Sequence, residues 1–79
     1  MNWVYILEDL RVLEQRIETK LDLLISRNLD PFPFERLQRG KELRALCKGI
    51  RLMVQQDQED DAKFLLDILK EKGAKLGRT

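Results

Sequence analysis

Apolar residues recur through the first third of the chain at Trp3, Ile6, Leu10, Leu13, Ile17 and Leu24, in steps of three and four. The one interruption is Lys20, where the same rhythm calls for an apolar side chain. Such steps return each side chain to one face of a helix with about 3.6 residues per turn, so the pattern predicts a long helix lying against another. The helix is expected from Trp3 to Arg27, with Asn2 as its N-cap and neither glycine nor proline inside it. At about 1.5 Å per residue it spans roughly 35–40 Å. Both of its ends are apolar all round, at Trp3-Val4-Tyr5-Ile6-Leu7 and at Leu23-Leu24-Ile25. That is more apolar surface than one seam uses, so each end is expected to meet two neighbours, or one neighbour and a partner chain.

Asn28-Leu29-Asp30-Pro31-Phe32-Pro33 breaks the pattern. Asn28 suits the left-handed conformation that closes a helix, and each proline disfavours helical geometry in the residue before it. Asp30 can cap a new helix with Pro31 as its first residue, unless Pro33 delays the start to Phe34. Phe32 and Phe34 are expected to plug the end of the helix pair. A second helix is predicted from Phe34 to Gln56, its apolar stripe running Leu43, Leu46, Cys47, Ile50, Met53 and Val54. Ala45, Gly49 and Leu52 form a flatter second face that another backbone can approach. Gln55 to Asp61 holds no apolar residue, and a break is expected there, with Asp57 capping a third helix from Glu59 to Lys72. Its apolar residues are Ala62, Leu65, Leu66, Ile68 and Leu69, with Phe64 alongside and Gly73 at the C-cap. Residues 1–73 thus read as one helical domain, followed by a mobile basic tail from Ala74 to Thr79.

Size restricts how such a chain is held together. At 79 residues a single core is only marginally sufficient, and disulfides, a metal, oligomerisation or well-packed helices must help. Cys47 is the only cysteine and histidine is absent, which leaves no internal disulfide and no ordinary zinc site. Charged residues make up 37% and aromatics 6%, a balance that favours long solvated helices over sheet. A net charge of +1 gives no global field for nucleic acid or anionic lipid. The longest apolar run, Trp3 to Leu7, is too short to span a bilayer, and no signal-peptide pattern opens the chain. A cytoplasmic location, in the source cell or in a host, is therefore expected, and a lone thiol suits a reducing compartment.

The inventory is poor in catalytic chemistry. Ser26 and Cys47 are the only serine and cysteine, and no histidine is available as a base, so no catalytic residue and no cofactor or small-molecule substrate is expected. Cys47, on an apolar stripe, reads as a small core residue. The acids Asp57, Glu59, Asp60 and Asp61 lack the glycine and terminal glutamate of a calcium loop, and read as a solvated helix start. Lys41, Arg44, Lys48 and Arg51 fall in one arc of the second helix at steps of three, four and three, preceded by Arg36 and Arg39. This row can meet phosphates, acids of the other helices, or an acidic partner. No aromatic is interleaved with it, and the proline corner is not the turn of a helix-turn-helix reader.

In layout alone, the first two helices resemble those of small helical-hairpin proteins such as dimeric RNA-binding regulators of plasmid copy number and the small co-chaperones of type III secretion. That likeness transfers no residue's role. The expectation is an all-α helical hairpin with a shorter third helix, associating into a bundle. Its expected function is a non-enzymatic adaptor, co-chaperone or inhibitor that buries an apolar helix face against a partner protein or a second copy of itself. Trp3, Tyr5, Leu7, Phe32 and Phe34 are the candidate anchors, since aromatics dominate binding where they fill a pocket. The alternative, from another class, is a small nucleic-acid-binding regulator acting through Lys41, Arg44, Lys48 and Arg51.

Overall fold

In the computed structural model, which describes residues 2–74 and 76, three helices follow one another: α1 (Trp3–Ser26), α2 (Phe34–Gln55) and α3 (Glu59–Glu71). α2 packs against both α1 and α3, giving an all-helical body of 44 × 21 × 21 Å. Asn2 caps α1 as expected, its side chain accepting a hydrogen bond from the Val4 N–H at 3.2 Å. Arg27 closes the helix, and Asn28 then takes the left-handed conformation at φ 51°. Pro33 precedes the first helical residue of α2, so the corner resolves in favour of the later start at Phe34.

The break between α2 and α3 is present, but Asp57 does not cap α3. It adopts φ 58° and ends the α2 turn, which leaves Gln58 at the N-cap position without a side-chain cap bond. The acids Glu59, Asp60 and Asp61 occupy the first turn of α3, where the helix dipole favours them. Gly73, at φ 89°, lies just beyond the other end.

The core is formed by Leu10 of α1, Cys47 and Ile50 of α2, and Ala62, Leu66 and Leu69 of α3. Ile17 and Leu21 extend burial along α1. Leu21, not position 20, continues the α1 seam: a four-residue step from Ile17 reaches it, and Lys20 stands exposed beside it. The buried face of α1 therefore runs Leu10, Glu14, Ile17, Leu21, with a carboxylate in its middle. On the predicted flat face of α2, Gly49 faces α3, where a Cβ built on it would lie 3.4 Å from Leu65 Cδ1, whereas Ala45 is exposed. Leu52, on that same predicted face, stays exposed. Ala74 and Leu76 pack against the core, so these two do not belong to a free tail, while Lys75 and residues 77–79 lie outside the described residues. No helix among the described residues is long and apolar enough to cross a membrane.

Candidate functional site: a cation-rimmed apolar groove

The proline corner folds the first turns of α2 back along the last turns of α1, and the chain leaving α3 reaches the same end of the body. Between these three parts opens a groove of about 650 Å3. Leu13, Ile17, Leu21 and Leu24 line it from α1, and Gly40 and Leu43 from α2. Gly40 leaves room for the Leu21 side chain of α1, since a Cβ there would meet Leu21 Cδ2 at 2.7 Å. Gly73 and Ala74 complete the lining beyond α3.

Five cations also line the groove: Arg16 and Lys20 from α1, Arg27 at its C-cap, and Arg36 and Arg39 from α2. All of them are exposed, and no carboxylate lines the groove among the described residues. Arg39 is held in place by donating from Nη2 to the Lys72 carbonyl at 2.9 Å, which satisfies a backbone acceptor at the end of α3. The other rim cations make neither an ion pair nor a side-chain hydrogen bond within the described chain. An apolar cleft edged by unpaired like charges is suited to an apolar ligand surface that carries negative charge at its margins.

The anchors expected from sequence do not form one surface. Trp3 and Leu7 pack against the core with Ile6, whereas Tyr5 is 71% exposed. At the other end of α1, Phe34 is 70% exposed and Phe32 half-buried. Their rings meet edge-to-face with centroids 4.8 Å apart. Phe34 therefore braces Phe32 from the outside and does not plug the helix pair. The length of α1, roughly 36 Å at 1.5 Å per residue, separates the two groups.

The basic row on α2 is divided. Lys41 and Lys48 are exposed and Arg44 half-buried. Arg51 is taken by Glu14, its Nη2 lying 3.0 Å from Oε2 and 3.2 Å from Oε1. That pair ties α1 to α2 with the Glu14 side chain only 7% exposed. Cys47 is fully buried, and burial, reinforced by the Glu14 charge, pushes its thiol up from 9.0 to about 11. Neutral and enclosed, this thiol is a packing group. Among the described residues no group of three or more potential ligands converges to hold a metal.

The groove is not legible from the α1 seam or the α2 basic row taken separately, because its cations on the α1 side lie beside the seam. The signal was present: Arg16, Lys20, Leu23 and Arg27 follow at steps of four, three and four, beside the seam. No protein-family model, curated protein or solved structure matches this chain.

Proposed function

We propose that this chain is a non-enzymatic helical interaction protein of the cytoplasm that works by receiving an apolar helix face of a protein partner in the α1–α2 groove. The observation that carries the reading is the combination in one cleft of an aliphatic lining with rim cations that no carboxylate of the described chain neutralises. A helix laid into such a groove buries its apolar stripe at about 25 cal/mol per Å2 and sets acids against the rim. The aliphatic lining offers no aromatic platform for bases, which favours protein over nucleic acid as ligand. On the α2 row, the engagement of Arg51 by Glu14 points the same way.

The reading is tested by placing a photo-crosslinking amino acid at Leu23, which lines the groove and is half exposed. In living cells a discrete polypeptide adduct is expected, and it should disappear when Arg27→Glu and Arg36→Glu are added. An adduct no stronger than from Gln15, which does not line the groove, overturns the proposal.

A further inference from the structure

The solvent side of α3 carries a second unexplained feature. Asp60, Phe64, Asp67 and Glu71 follow at steps of four, three and four, which aligns them in one stripe. The stripe lies opposite the buried residues Ala62, Leu66 and Leu69. Phe64 is 66% exposed in its centre, and all three carboxylates are exposed with no ion pair among the described residues. Lys63 and Lys70 stand on the neighbouring stripe and leave this one acidic. A large aromatic two-thirds exposed on the outer face of a short helix buries little surface in its own fold, and aromatics are the usual form of a binding anchor.

Building on the groove reading, we infer that the groove's occupant is a second copy of this chain, docked by its α3. Phe64 of one copy enters the aliphatic cleft of the next, and Asp60, Asp67 and Glu71 face Arg16, Lys20, Arg27 and Arg36. Both halves of the contact are on one molecule, and they match in kind: an apolar knob between acids, and an apolar cleft between cations. The charge distribution runs the same way. Asp57, Glu59, Asp60 and Asp61 crowd the start of α3, while the rim cations gather at the opposite end of the body. Knob and groove are different surfaces, so the contact is heterologous, and the rotation between copies decides whether it closes as a ring or continues.

The test is sedimentation of the full chain over a wide concentration range, with two variants. Phe64→Ala with Asp67→Lys removes the knob, and Arg27→Glu with Arg36→Glu removes the rim charge. All four positions are exposed, and circular dichroism checks that each variant keeps its helices. The wild-type chain is expected to self-associate, more weakly as salt is raised. Each variant should lose at least about tenfold in association constant, the scale of a lost anchor. Mixed together, the two variants should form a one-to-one complex, because the knob of the rim variant still finds the intact groove of the other. A monomeric wild type, association untouched by either variant, or a mixture that stays monomeric overturns the inference. So does a wild type that remains monomeric yet retards an RNA oligonucleotide through Arg27 and Arg36. In each of these cases the crosslink from Leu23 still decides separately whether the groove binds a protein.

Discussion

Replacing Arg51 by methionine isolates the one buried carboxylate of α1. Glu14 sits between Leu10 and Ile17 on the core face, 7% exposed, and Arg51 is its partner at 3.0 Å. Breaking a fully buried pair from one side costs about 3–5 kcal/mol, because the remaining charge has lost its solvation and its counter-charge. Arg51 is 37% exposed, so water reaches the pair's outer side and the cost falls to about 2–3 kcal/mol. For a domain of this size that is a fall in Tm of roughly 10–20 °C. The reverse truncation behaves differently. Glu14→Met leaves Arg51 able to turn toward water and adds an apolar side chain to the buried stripe, so it is expected within about 1 kcal/mol of wild type. The double variant Glu14→Met, Arg51→Met should be neutral or more stable. Urea and thermal unfolding followed by circular dichroism, at two protein concentrations to separate association from folding, measure all three. An Arg51→Met chain within about 0.5 kcal/mol of wild type, or a Glu14→Met chain as damaged as it, refutes the argument that desolvation of the carboxylate sets the cost.

Three further outcomes follow from the geometry. The Cys47 thiol ionises near 11 in the folded chain and near 9.0 in the unfolded one, so between these values the unfolded chain has lost a proton that the folded chain retains. Its contribution is full below pH 9 and is lost as pH rises through 11, by about 2–3 kcal/mol; Cys47→Ala should remove that slope from the pH dependence of unfolding. Gly40→Val is expected to cost about 1–3 kcal/mol in chemical denaturation, since even a Cβ would lie 2.7 Å from Leu21 Cδ2, and unchanged stability would contradict the close approach. Gly73→Ala should cost about 1–2 kcal/mol, because its φ of 89° strains any side chain and the added Cβ would sit 3.1 Å from Arg39 Nη2.

Most of the secondary structure is legible in the chain because its signals are local. Asn2, Asn28, Pro33 and Gly73 mark helix limits through their own backbone preferences, and the three-four rhythm marks the core face of each helix between them. Two errors came from signals of similar local strength. At Lys20 the heptad step of three competed with a step of four to Leu21, and only packing against Gly40 decides for the leucine. Asp57 suits both an N-cap and a left-handed turn, and the geometry between α2 and α3 selects the turn.

Sequence alone determined three amphipathic helices, their order and the proline corner that folds the first back on the second. It also determined the inventory of side chains, with no histidine and a single cysteine, which needs no coordinates. Tertiary structure decided which charges are used and which are left over. Arg51 and Arg16 read alike on a helical wheel, yet one is paired with a buried carboxylate and the other stands at the rim of a cleft. Likewise Trp3, partly buried, packs against the core while Phe34 and Phe64 remain outside. The physical reason is that periodicity specifies a side chain's direction from its own axis. Whether that direction ends in a neighbouring helix, a counter-charge or water depends on where the other axes lie, and this is set jointly by Gly40, the corner and the return of α3.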